Sequence, residues 1–332
     1  WALHAERGIM DIKEAVPLNL VGLFVMCMFF HGELAASKPV PRYLTGFYLM
    51  VSLGGALGGA AVGMVAVKFF NTYYEFGIGL VVTLMIAAYV TRLMHSVVPM
   101  LALAAIGFSG FHVHQYITSL TGNTRIMTRN FYGTLRVKDV GSGDDAMRRL
   151  MNGVIMHGEQ YLVEGKRNEP TTYYGVTSGI ARLIKTLEAP AIRVGVVGLG
   201  TGTLAAYGRK GDVYRFYEIN PQVVDVARRE FSFLGDSSAE IETVLGDARL
   251  AMEREAPQRY DVLVIDAFSS DSIPVHLITR QAMAVYLRHI LPGGVIAFHV
   301  TNRFLHLAPV VKRIADEAGL LFPLSLAAEG SC

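Results

Sequence analysis

With 332 residues the chain has room for about two domains. It is 52% hydrophobic and only 17% charged, with a mean hydropathy of +0.37, too apolar for an ordinary soluble protein. A formal net charge of +2 argues against nucleic-acid binding by bulk electrostatics, and the two cysteines, Cys27 and Cys332, form neither a disulfide framework nor a metal-ligand spacing. The polar half holds no cysteine before its terminal residue, which is compatible with a reducing cytoplasm.

Residues 1–15 contain acids and lack a cleavage site, so they do not read as a signal peptide. Both chain ends, Trp1 and Cys332, read as cut, and a fragment is expected. Apolar stretches then run over 16–30, 44–67, 74–90 and 97–117. A spanning helix needs about 20 mostly apolar residues. Four membrane helices are the reading, with three plus an interfacial segment as the alternative; the first stretch is short unless it borrows residues 31–36. His31 and Glu33 close that first stretch, either as costly groups at depth or as an interfacial loop at the headgroups. The second stretch carries Gly54, Gly55, Gly58, Gly59 and Gly63, a small-residue stripe that predicts a helix-packing face. Loop charges are sparse, but Arg125, Arg129, Arg136 and Lys138 follow the last stretch and favour a cytoplasmic domain beyond it.

Residues 125–165 alternate as strands do, around a polar turn at 141–145, and predict a small β subdomain. A helix is predicted over 176–187. The segment 193–203, RVGVVGLGTGT, then joins a buried strand at 194–197 to Gly198, Gly200 and Gly202 and a helix-like 204–207. Glycine lacks a Cβ, so the chain turns sharply there and a ligand can lie against its backbone. A second strand over 213–219 delivers Glu218 about 20 residues beyond Gly198, where a nucleotide-binding crossover fold places its ribose-binding carboxylate. A third strand at 241–245 runs into Gly246, Asp247 and Ala248, and a fourth at 260–265 ends on Asp266. Acids at successive strand ends are the arrangement of an open α/β sheet that binds its ligand at the carboxyl edge. Helices over 221–231, 249–254, 279–290 and 307–318 alternate with these strands, a fifth strand is predicted over 295–300, and a sixth over 320–326.

Gly246-Asp247-Ala248 after the third strand and Asp266 after the fourth resemble the nucleoside-binding half of the class I S-adenosylmethionine-dependent fold rather than a nicotinamide dehydrogenase. Within that superfamily DAFSSDSIP at 266–274 and LPGG at 291–294 are similar to the spermidine synthases, and HGELA at 31–35 with LTGFYLMVSLGG at 44–55 resembles the membrane part of fused spermidine synthase-like proteins. The resemblance implies an α/β, Rossmann-like transferase domain at 171–332, C-terminally truncated, behind a β subdomain at 121–170 and a transmembrane bundle at 1–120. It implies aminopropyl transfer from decarboxylated S-adenosylmethionine to a small amine, or use of S-adenosylmethionine itself, with no metal and no nucleic acid. It further implies a homodimer or tetramer, and an integral membrane protein whose C-terminal domain is cytoplasmic.

An S-adenosyl ligand needs a ribose clamp, a base-edge acceptor and a surface for its tail. Glu218 is the candidate for the ribose, Asp247 and the Ala248 N–H for the adenine edge, and Gly198, Gly200, Thr201 and Gly202 for the tail; Glu218 and Asp247 could instead cap the following helices. The amine acceptor must lose a proton and be held, which carboxylates can do. Asp266 and Asp271 are the candidates, with Tyr174, Gln160 and His157 as positioners, and an N-cap is the other role open to Asp271. The chain departs from the family at several places. Asn152 stands where an acid is usual, Tyr173-Tyr174-Gly175 stands where tyrosine-histidine-glutamate is usual, the glycine loop lacks its aspartate, and Asp266 and Asp271 lie five apart rather than three. Two further readings stay open: a methyltransferase whose acceptor is presented by the membrane helices, and a membrane sensor that only binds the ligand.

Overall fold

The helices of the first part form where the apolar runs predict them. The computed structural model describes residues 12–92, 97–153, 155–268, 274–301 and 305–322. Asp271 and most of the expected sixth strand therefore lie outside the described residues. The chain divides into two units, Trp1–Thr134 and Leu135–Cys332.

In the first unit, α1 (Ile12–Ala36), α2 (Leu44–Ala60), α3 (Tyr74–Thr91) and α4 (Val97–Thr121) precede strand β1 (Thr124–Asn130). Among the described residues three helical segments, Val16–Ala36, Pro41–Phe69 and Tyr74–Thr91, are long and apolar enough to cross a membrane by composition. The first reaches that length because α1 continues through residues 31–36, where His31 Nδ1 bonds the carbonyl of Cys27, 2.8 Å away, inside the helix. A π-helical turn, Ala61–Ala66, carries α2 on to Phe69. No described atom comes within 4 Å of a Cβ built on Gly54, Gly55, Gly58, Gly59 or Gly63, so the stripe read as a packing face meets no described residue of its own chain. The close helix approach is elsewhere. A Cβ on Gly77 of α3 would stand 3.0 Å from Val113 of α4. Arg129 of β1 pairs with Glu75 at 2.7 Å and donates to the Thr72 carbonyl at 3.1 Å, tying the strand to the start of α3.

The second unit begins with an antiparallel meander of β2 (Gly133–Val140), β3 (Met147–Asn152) and β4 (Ile155–Tyr161). Helix α5 (Gly179–Thr186) follows, three residues shorter at its start than predicted because Ser178 caps it by accepting from the Ala181 N–H. The rest is a Rossmann-like α/β layer. Strands β5 (Arg193–Val197), β6 (Val213–Glu218), β7 (Glu240–Leu245), β8 (Tyr260–Ile265) and β9 (Ile290–Phe298) form one sheet in the order β7-β6-β5-β8-β9, with every pair parallel. The intervening helices are α6 (Pro221–Glu230), α7 (Phe233–Asp236), α8 (Ala248–Arg254) and α9 (Arg280–His289), and α10 (Ala308–Glu317) follows the sheet. Val194, Val196, Phe216, Val262, Leu263, Val264 and Ile265 are all at most 2% exposed, as strands covered on both faces must be. The segment 204–207, expected to be helix-like, lies in a 3-10 turn, Thr203–Tyr207, and β9 starts at Ile290 rather than 295 because α9 runs into it without a loop.

Asp212 anchors the entry to the sheet. It is fully buried and accepts from the N–H groups of Ile192 and Arg209 at 2.9 Å and from the Arg209 guanidinium at 3.1 Å. Burial alone would raise its carboxyl, but the Arg209 guanidinium and those two N–H groups outweigh burial and hold it below its ordinary value of 3.8. A depressed carboxyl contributes its stability above the ordinary value and loses it as pH falls through the lowered one. Asp212→Ala should therefore cost about 2–4 kcal/mol at neutral pH by orphaning two buried N–H groups, and the deficit should shrink below pH 3.8 in denaturant titrations at successive pH values.

Candidate functional site

One backbone device builds the carboxyl edge of the sheet: the ladder runs one residue past four of the strands. Gly198 N–H donates to Tyr217 O, Gly246 N–H to Glu218 O and Asp266 N–H to Val197 O, each at 2.9 Å, and His299 N–H donates to Ile265 O at 3.0 Å. The residues just beyond β5, β7, β8 and β9 are therefore fixed by the sheet itself.

Gly198, Gly200 and Gly202 all have positive φ, +99°, +55° and +83°. Space around them is equally restrictive. A Cβ on Gly198 would collide with the Asp266 carbonyl oxygen, and one on Gly200 would stand 2.8 Å from the carbonyl of His157 on β4. His157 thus reaches the site through its backbone. Thr201 is 1% exposed and shares a 2.8 Å hydroxyl contact with Thr203.

Glu218 does not cap α6, since Asn220 does so by accepting from Gln222 N–H. Instead one Glu218 oxygen accepts from Leu199 N–H at 3.0 Å and the other from Asn220 N–H at 2.9 Å, strapping the glycine loop to the end of β6. Burial raises its carboxyl above the ordinary 4.5, opposed by the N–H groups of Asn220, Leu199 and Ile219. Asp247 does cap its helix: Oδ1 accepts from Leu250 N–H at 2.9 Å, while Oδ2 meets His276 Nε2 at 2.8 Å. Ala248 is the first residue of α8 and is buried. Beside them Gly246, φ +138°, has open space where a side chain would stand, and Ile219 exposes an apolar side chain.

A second candidate cluster lies around Asp266. The Tyr174 hydroxyl donates to its Oδ2, and His299 Nδ1 lies 2.6 Å from its Oδ1. Tyr174 sits on a 3-10 turn, Thr172–Tyr174, whose backbone is held by Tyr207 Oη donating to Tyr174 O at 2.5 Å. Burial first, and then the adjacent Asp266 carboxylate, push the Tyr174 phenol well above its ordinary range, so it stays protonated and remains a donor. Tyr173 and Phe268 flank the His299 ring with centroids at 4.9 and 5.1 Å.

Gln160 is not brought to this cluster as a free amide. Nε2 donates to Ser232 Oγ at 2.7 Å and Arg167 O at 3.0 Å, and Oε1 accepts from Ser232 N–H, so it braces β4 against the end of α6. His299, Tyr173, Tyr207 and Phe268 were missed in the sequence. For His299 the signal was present: it follows the fifth strand as Asp266 follows the fourth, but the strand was predicted to run on through residue 300.

No protein-family model matches the chain. A polyamine aminopropyltransferase of Vibrio vulnificus is 31% identical over 119 residues, which cover 34% of this chain and 38% of that enzyme. A putative O-methyltransferase of Mycolicibacterium vanbaalenii is 26% identical over 174 residues, 48% of this chain and 74% of that protein. Among solved structures, a probable spermidine synthase from Corynebacterium glutamicum aligns over 51% of this chain and 61% of its own, with 16% identity and a TM-score of 0.42. The chain thus spans well under half of the aminopropyltransferase's length.

Proposed function

We propose that the second unit is a spermidine synthase-like transferase domain, moving an aminopropyl group from decarboxylated S-adenosylmethionine to a small amine, and that the first unit anchors it in a bilayer with the domain on the cytoplasmic side. The observation that carries this reading is the Tyr174–Asp266 hydrogen bond, set directly against the glycine loop through the close approach of Gly198 to the Asp266 backbone.

The residues present suit an adenosyl ligand. Gly198, Gly200 and Gly202 hold positive φ and pack their Cα faces on Asp266, His157 and Leu234, and with Thr201 they form the loop whose backbone we propose lies against the ligand's tail. The Glu218 oxygens, held by the N–H groups of Leu199 and Asn220, are the proposed acceptors for the ribose hydroxyls. The open space at Gly246 and the exposed Ile219 side chain offer an apolar seat for a base, with the remaining lone pairs of Asp247 and the Ala248 N–H at its edge. When bound, the sulfonium supplies an electrophilic carbon; the chain's task is to hold a neutral amine in line with it. Asp266 orients that amine, Tyr174 fixes Asp266, and Asp271 is the proposed anchor for a second ammonium. The acceptor is a small amine, nucleic acid plays no part, and a homodimer is the proposed assembly.

Glu218→Gln tests the ribose clamp. The amide sets an N–H against one of two backbone donors and removes the charge, so methylthioadenosine should bind about 10–100-fold more weakly by calorimetry. The acid's own stability signature has the opposite sign to that of Asp212. A raised carboxyl gives full stability below 4.5 and loses it as pH climbs through the raised value, so the ionised clamp is held at a cost to the fold.

A second reading, methyl transfer, is favoured by one observation. Asp266 is surrounded by aromatic groups rather than by a second described carboxylate, as a site for an uncharged acceptor would be. Calorimetry on the detergent-solubilised protein separates the two. Tighter binding of decarboxylated S-adenosylmethionine supports aminopropyl transfer, tighter binding of S-adenosylmethionine overturns it in favour of methyl transfer, and binding of neither removes the enzyme reading.

A further inference from the structure

Both carboxylate oxygens of Asp266 already hold a partner. Oδ2 takes the Tyr174 hydroxyl proton, and Oδ1 faces His299 Nδ1. A carboxylate beside one imidazole nitrogen keeps that nitrogen in its N–H form and leaves the lone pair on the other. The other nitrogen, Nε2, makes no hydrogen bond among the described residues, while the ring retains 17% of its side-chain exposure. The residue is held by its backbone N–H, which continues the ladder to Ile265 O at 3.0 Å, and its ring packs on Tyr173 and Phe268. Among the described residues the titratable groups facing it are Asp266 from the end of β8 and Tyr173 and Tyr174 from the turn before α5, with Tyr207 reaching the same turn through the Tyr174 carbonyl.

We propose that His299, through Nε2, is the group that takes the proton from the acceptor, with Asp266 fixing its tautomer and Tyr174 fixing Asp266. This rests on the transferase reading and reassigns its base. As a class, an imidazole accepts a proton more readily than a carboxylate by about two to three powers of ten, which suits it better to an amine donor. In the step, an acceptor ammonium gives one proton to Nε2. The freed nitrogen lone pair forms the new N–C bond, the C–S bond breaks, and its electron pair stays on sulfur as a neutral thioether. The imidazolium formed is balanced by the Asp266 carboxylate, the arrangement that orients histidine bases elsewhere.

Two measurements on the full chain in detergent test it. The first needs no turnover: in ¹⁵N-histidine NMR at neutral pH, with His299 assigned by its loss in His299→Gln, Nδ1 is expected protonated and Nε2 bare, and Asp266→Leu is expected to shift the ring toward the Nε2–H form. The second is kinetic. His299→Ala should lower turnover about 10²–10⁴-fold, recover at least about tenfold with added imidazole, and bind methylthioadenosine within about twofold of the parent. An Nε2–H ring in the parent protein, or a His299→Ala variant within about threefold of parental turnover, overturns the proposal. A parent that transfers nothing to any amine tested would instead remove the aminopropyl reading, and the tautomer would still decide the role of His299.

Discussion

Replacing Asp266 by asparagine is expected to lower turnover by about 10²–10⁴-fold while adenosyl-ligand binding stays close to the parent value. The carboxylate accepts at both oxygens, from the Tyr174 hydroxyl and at His299 Nδ1. An amide of the same shape accepts at only one end and turns an NH₂ toward the other partner, so either the phenol or the imidazole loses its orientation. The backbone of residue 266, which donates to Val197 O and packs on Gly198, is unchanged by the swap, and the ligand cradle survives. Steady-state transfer assays paired with calorimetry check both halves. Turnover within threefold of the parent would mean that Asp266 is only a strut of the sheet edge.

Gly198→Ala is expected to be the most damaging single methyl in the domain. At φ +99° an L-residue carries roughly 1–2 kcal/mol of backbone strain, and the added Cβ is driven into the Asp266 carbonyl, an overpacking term of about 1–3 kcal/mol. Together these amount to about 2–5 kcal/mol, a fall in Tm of about 5–15 °C for a domain of this size. Gly246→Ala is the matched comparison, because its φ is also positive but nothing lies within 4 Å of the new methyl, so it carries the strain without the collision. Near-UV circular dichroism melts of the two variants should differ by several degrees. Equal melts would show that the contact at Gly198 relaxes freely.

The fold of the second unit was legible because its signals are local. Runs such as 194–197 and 260–265 are apolar on both faces, glycine clusters mark the turns, and Asn220, Asp247 and Thr279 cap α6, α8 and α9 where the sequence alternates. Glu218 and Asp266 are candidates by the rule that ligands gather at strand ends, and the structure places them at the ends of β6 and β8. What escaped depends on pairings distant in sequence. Gln160 looked like a substrate contact because its partners, Ser232 and Arg167, come together only in the fold. His276 gave no sign of meeting Asp247, 29 positions earlier. His299 was hidden by a one-sided error: LPGG at 291–294 reads as a turn, but the chain stays extended through it with a register shift opposite Tyr260 and Val262, so β9 begins and ends earlier than its apolar pattern suggests.

Because Gly198, Gly246, Asp266 and His299 hang on the ladder, half of the site behaves as masonry: none of the four can shift without pulling a neighbouring strand. The other half is suspended. Tyr173 and Tyr174 ride on a short turn whose first residue, Thr172, holds the left-handed φ of +54° that a β-branched residue resists. Evolution or engineering that retunes which acceptor is taken would therefore find its cheapest substitutions in that turn, while the sheet edge behind it stays as the fixed reference against which any new acceptor must be aligned.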